Sequence, residues 1–154
     1  MKKETIFHGT ESHEKIYILE KTSDTYKLTI PEGTVTLGYN DLKDYLDKYE
    51  IEEVELPDSL RVIEDNTFFD YPLIKKINVP EKVTQIGSQA FWGLDELEEL
   101  VIPPSVVKIG KYAFCNCPTL SLTMIGEENS IPSGWDREFA ANVKEICFVK
   151  NSVQ

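Results

Sequence analysis

Two histidines, three cysteines and a surplus of carboxylates are the side chains through which this chain could do chemistry, and their spacing argues against it. His8 and His13 stand in a polar N-terminal stretch, where neither is placed to be the base that a serine or cysteine nucleophile needs. Cys115 and Cys117 are two residues apart, poor geometry for a mutual disulfide, and three cysteines cannot all pair within one chain. Two histidines give no ligand set for a structural zinc site. Cys117 shares an apolar slot with Tyr71 and Leu94, whereas Cys115 and Cys147 are expected as accessible, reduced thiols with nothing nearby to lower their pKa. Carboxylates abound without converging on a pocket, and there is no glycine-rich phosphate loop. The chain reads as non-enzymatic, with no metal and no cofactor.

The charge is uneven. Of a net −11, the stretch Asp41–Asp65 carries −7, with ten acidic residues against Lys43, Lys48 and Arg61. Such a face keeps a protein soluble and repels a nucleic-acid backbone. Turned toward a partner, it would act as an acidic decoy that fills a basic groove. With 41% apolar and 28% charged residues the composition is that of a soluble globular domain. No run of 18 apolar residues is present to span a membrane, and the start lacks the apolar stretch of a secretory signal. The expected placement is cytoplasmic as written, or secreted or cell-surface where a signal has been removed.

What positions these residues is a repeat. Pro57, Pro80 and Pro103 are 23 residues apart, and each closes a short run: Val54-Glu55-Leu56, Ile77-Asn78-Val79 and Leu100-Val101-Ile102. Six residues after each proline stand Ile63, Ile86 and Ile109; eleven after, Phe68, Phe91 and Phe114; seventeen after, Ile74, Leu97 and Leu120. A fixed period in the twenties marks a solenoid, whose stacked units make extended surfaces rather than one cleft. The expected unit is a strand, a closing proline, a turn and a short helical stretch running back. Alternation along each strand then gives Leu28, Ile30, Val54, Leu56, Ile77, Val79, Leu100, Ile102, Ile125, Ile146 and Phe148 as core. Gly87 and Gly110 suit a turn with positive φ, although Glu64 holds that slot in the first clear copy.

The pattern weakens outward. Leu28–Pro31 fills the strand slot of an earlier copy, and three extra residues before Pro57 fall in Asn40–Tyr49. There Leu42, Tyr45, Leu46 and Tyr49 recur at helical spacing, which predicts a longer helix capped by Asn40 with those four facing the core. Lys144–Phe148 fills the strand slot of a degenerate last copy. The chain is expected as one domain over 1–154: an N-terminal cap and first strand to 30, repeats over 31–125, and a degenerate repeat with C-terminal cap over 126–154. A hairpin of Lys15–Glu20 and Thr25–Ile30 covers one open end, and Trp135 and Phe139 the other. Residues 1–14 and 150–154 are expected to be loose.

The blocks Ile102-Pro103-Pro104-Ser105-Val106 through Ile109-Gly110 to Ala113-Phe114, and Val79-Pro80 through Ile86-Gly87 to Ala90-Phe91, closely resemble BspA-type bacterial leucine-rich repeats. Pro132-Ser133-Gly134-Trp135-Asp136 resembles a terminator of that family. The clear match covers Val54–Leu122, and a weaker one nearly all of Leu28–Phe148. The resemblance implies an α/β repeat solenoid, a curved arc with parallel strands on its concave face, used for adhesion or protein–protein contact on exported bacterial proteins. It implies no catalytic residue.

On the concave face, the slot four before the proline reads Lys27, Glu53, Lys76, Glu99, Leu122, Glu145 at the 23-residue spacing. The slot two before reads Thr29, Glu55, Asn78, Val101, Met124, Cys147. The flanking slot reads Tyr26, Glu52, Lys75, Glu98, Ser121, Lys144. Alternating signs over Lys27, Glu53, Lys76 and Glu99 predict a self-neutralising ladder. Where the ladder stops, Val101, Leu122, Met124 and Cys147 are expected as an apolar patch beside Glu99 and Glu145, the signature of a contact site. With Glu53, Glu55 and Lys76 they form the candidate partner-binding set. The expected partner is a protein or peptide, with no nucleic acid and no membrane, and a homodimer is possible through an end strand or the patch. The other readings are the acidic decoy and a fragment of an exported adhesin. On the opposite side Phe69, Trp92 and Cys115 share a slot read as half-buried packing.

Overall fold

The proline-closed runs do form strands. The computed structural model describes residues 2–8 and 15–150. Strands β1 (Lys2–His8), β2 (Lys15–Lys21), β3 (Tyr26–Thr29), β5 (Ile51–Glu55) and β7 (Lys76–Ile77) lie side by side in that order. A separate three-stranded parallel sheet follows, ordered β9 (Glu99–Ile102), β11 (Cys117–Ile125) and β13 (Val143–Val149). In the three clear copies the described return segments form no helix, contrary to expectation. They are turns around a second parallel sheet of two-residue strands, ordered β12-β10-β8-β6-β4: β4 (Thr36–Leu37), β6 (Val62–Ile63), β8 (Gln85–Ile86), β10 (Lys108–Ile109) and β12 (Gly134–Trp135). The fold is a β-solenoid with little helix.

The single α-helix among the described residues is α1 (Tyr39–Lys48), in the coil with three extra residues. It buries Leu42, Tyr45 and Leu46, while Tyr49 is half-buried at the C-cap. The N-cap is Gly38 rather than Asn40, because the Asp41 carboxylate accepts the Gly38 N–H at 2.8 Å.

Between the two sheets the repeat's apolar slots stack into columns. Phe68, Phe91 and Phe114 are fully buried, with ring centroids 5.4 and 5.1 Å apart. Gly87 and Gly110 have no positive φ; their need for glycine is room. A Cβ on Gly87 would collide with the Asp65 amide nitrogen, and one on Gly110 with that of Ser88. Positive φ falls elsewhere, in the column Asp70, Gly93, Asn116, Asn142, in Asn66, Gln89 and Tyr112, and in Gly33 and Gly126.

The N-terminal cap is the expected hairpin, with β2 antiparallel to β3, but it extends the sheet instead of lying across it. Tyr17 and Leu19 are buried under it, and Tyr17 stacks on Tyr45 of α1 at 5.0 Å. Lys2–His8, expected to be loose, is strand β1, antiparallel to β2, and His8 belongs to it. His13 and the expected loose residues 9–14 and 151–154 lie outside the described residues. At the other end Trp135 and Phe139 meet edge to face at 5.4 Å, and the Trp135 indole N–H donates to the Val106 carbonyl.

The core differs from expectation at the C-terminal end. Leu122 pairs with Leu100 and Met124 with Ile102, one residue out of the 23-residue phase. Leu122 is 0% and Met124 2% exposed, whereas Ile125 is only half-buried and Ile146 is 39% exposed. Leu100 to Leu122 is 22 residues, so this coil is one short, and β11 carries a register irregularity between Cys117 and Ser121. No proline follows Met124 to mark the phase. The alternation Leu120, Leu122, Met124 against Ser121, Thr123 is the signal that does.

Candidate functional site

Each coil contributes two outward residues to the concave face, between the buried ones. With the register above, the first column reads Lys27, Glu53, Lys76, Glu99, Ser121, Glu145, and the second Thr29, Glu55, Asn78, Val101, Thr123, Cys147. Leu122 and Met124 therefore leave the candidate set: they are core, and Ser121 and Thr123 take their surface positions. The apolar patch shrinks to Val101, 51% exposed, with the half-buried Cys147 beyond Thr123.

The N-terminal half of the face is an ionic network. Lys27 Nζ lies 2.8 Å from Glu55 Oε2 and 3.7 Å from Glu53 Oε1, and Lys76 Nζ is 3.5 Å from Glu53 Oε1. On the flank Lys75 reaches Glu52 at 3.3 Å. The bond to Glu55 holds the Lys27 ammonium above its ordinary pKa, with Glu53 adding to it. The Glu52 carboxyl is held below its ordinary range first by the Thr25 hydroxyl and then by Lys75. Glu53, Glu55 and Lys76 thus come together as read from the sequence, lining a shallow groove of about 390 Å³ with Lys27 and Asn78. These pairs are open to solvent, so each adds little to stability.

Asn78 does something its column did not suggest. Its side chain accepts the Leu56 N–H at 3.0 Å and donates to the Leu56 carbonyl, standing in for the backbone ladder just beyond β7. A lone amide among charged outward residues is the trace this leaves in sequence.

The C-terminal half is different. Glu98 and Glu99 are exposed, and no ion pair engages either among the described residues. Among the described residues Glu145 accepts only from the Ser121 hydroxyl, at 2.6 Å. An exposed valine here sits among uncompensated carboxylates. Six of the ten acids of Asp41–Asp65 are, by contrast, engaged within the protein: Asp41 in the helix cap, Asp47 by the Tyr71 hydroxyl, Glu52, Glu53 and Glu55 with lysines, and Asp65 on the Ser88 N–H.

The thiols sort by burial. Cys117 is fully buried, donates to the Phe91 carbonyl, and has its pKa pushed up to about 11 by desolvation. Cys115, expected to be accessible, is buried, receives the Ala141 N–H at 3.1 Å, and is raised mainly by burial. Its column mates Phe69 and Trp92 stack on one another at 4.7 Å and are half-buried, as read.

The BspA type leucine rich repeat region (6 copies) matches residues 4–122. Comparison with curated proteins returned no match. Among solved structures the chain is similar to the pneumococcal vaccine antigen PcpA, with 28% identity and a TM-score of 0.65, over 82% of this chain and 31% of that one. The chain thus spans about a third of that relative's length. A T. pallidum leucine rich repeat protein shows 18% identity and a TM-score of 0.48, over 86% of this chain and 82% of that one. A leucine rich cell surface protein of Faecalibacterium prausnitzii shows the same identity and score, over 92% and 50%. No helix among the described residues is long and apolar enough to cross a membrane.

Proposed function

This chain belongs to the BspA-type leucine-rich repeat family, and on that premise we propose that it is a non-catalytic interaction module holding a protein or peptide segment on its concave strands. One observation carries the reading: Val101 exposes half its surface on β9, beside Glu99 and Thr123 and next to carboxylates that no lysine compensates among the described residues. An apolar centre with an acidic rim suits a segment offering lysine or arginine around a small apolar residue. The ionic network from Lys27 to Lys76 is satisfied internally, so it sets strand register and contributes less to a partner. The likeness to a pneumococcal vaccine antigen favours an exported, surface-displayed setting, in which the partner belongs to the surroundings of the cell. The cytoplasmic expectation finds no support among the relatives.

The test is capture by the immobilised protein from extracellular-matrix and bacterial-surface extracts, washed at low and at high salt. The expected result is a retained protein that is lost with Val101→Arg and only weakened by salt. If Val101→Arg retains the same protein, the concave site is wrong. Retention at low salt alone, indifferent to Val101, would favour the acidic decoy instead.

A further inference from the structure

The last described strand of the solenoid is built like an interior one. In β13, Ile146 and Phe148 occupy the slots of Leu122 and Met124, and of Leu100 and Ile102 before them. Those four are buried because another strand lies beyond each; Ile146 is 39% exposed and Phe148 half-buried, and no described strand lies beyond β13. The Gly126 N–H donates to the Val149 carbonyl at 2.8 Å, which fixes the phase of the parallel ladder. Glu145, Cys147 and Val149 turn their backbone groups to β11, and Ile146 and Phe148 turn theirs outward. Edge strands are usually blunted by lysine, proline or a bulge. Here one lysine, Lys144, stands near the start of the strand, and residues 145–149 carry no lysine, proline or bulge.

Charge says what the edge accepts. Within the stack, Lys76 lies beside Glu53, and Glu145 on β13 has, among the described residues, only Ser121. Phe148 also lines an apolar pocket of about 170 Å³ with Trp135, Ile131 and Val106, beside the loop around Glu128–Ser130. We propose that the free edge of β13 takes up an extended segment of a partner protein as one more strand, a segment in which a basic residue precedes two alternating apolar residues. The basic side chain meets Glu145 on the concave side, the apolar pair covers Ile146 and Phe148, and the backbone joins the outward peptide groups of those two residues. This site lies on the outermost described strand and is separate from the face around Val101.

The probe is the synthetic peptide Leu-Ile-Lys-Lys-Ile-Asn-Val-Pro, which copies residues 73–80, the strand that the fold itself sets against Glu53. Amide exchange by NMR on the full chain should show saturable slowing at Ile146 and Phe148, and binding weakened about fivefold when the peptide's second lysine is glutamate. Ile146→Pro, which removes only an outward N–H, should abolish the effect, and Ile146→Lys, which keeps the backbone, should do so too. Val101→Arg should leave it intact. Unchanged exchange at both amides with the peptide in excess overturns the proposal, as does equal binding by Ile146→Lys. Sedimentation showing a dimer that Ile146→Lys dissociates would also overturn it, because a second copy would then occupy the edge.

Discussion

Leu122→Arg and Val101→Arg place the same charge one residue apart in phase on neighbouring strands, and the register decides which one the fold tolerates. Leu122 is 0% exposed and pairs with Leu100 on one side and Ile146 on the other. Removing a fully buried leucine side chain costs ~2–5 kcal/mol even when alanine replaces it. An arginine adds an uncompensated buried charge, worth several kcal/mol more. Domains of this size hold ~5–15 kcal/mol in all, so Leu122→Arg should be largely unfolded at 25 °C. Val101 is 51% exposed on the concave face, and Val101→Arg should stay within ~0.5 kcal/mol of the parent. Urea unfolding followed by far-ultraviolet circular dichroism and by the fluorescence of Trp92 and Trp135 separates the two. A parent-like midpoint for Leu122→Arg would refute the register, return Leu122 to the surface, and restore the uninterrupted 23-residue phase.

Native-state alkylation at pH 8 should modify Cys147 alone, with Cys115 and Cys117 reacting only in denaturant, since burial both hides them and raises their pKa; mass spectrometry showing rapid native labelling of Cys117 would contradict its packing. Gly110→Ala should destabilise by ~1–3 kcal/mol in urea unfolding, because its Cβ meets backbone that cannot swing aside. The pKa of Glu52 is depressed in the folded state, so its stabilising contribution is present at neutral pH and is lost as pH falls through that lowered value. Glu52→Gln should accordingly flatten part of the acid limb of stability against pH and leave the alkaline limb alone.

The solenoid was legible because its constraints are local and repeated. A proline closing each strand, an isoleucine six residues on and a phenylalanine five further fix a coil of constant length, and the buried columns Ile63–Ile86–Ile109 and Phe68–Phe91–Phe114 follow from the period. The helix around Leu42, Tyr45 and Leu46 and the opposition of Lys27, Glu53 and Lys76 followed in the same way. What a period cannot carry is a coil that departs from it. The one-residue deletion before Leu122 reversed which side chains face the core, and only pairing with Leu100 across the sheet reveals it. The return segments read as helical because apolar spacing in a short stretch does not distinguish a helix from turns around two-residue strands. Their conformation is set by hydrogen bonds to the neighbouring coil, such as Phe91 N–H to the Ala113 carbonyl. The need for glycine at 87 and 110 is likewise a matter of how closely coils approach, a distance that exists only once they are stacked. Sequence therefore determined the repeating unit and its core; stacking decided the phase at the C-terminal end, and with it which residues are left on the surface to meet a partner.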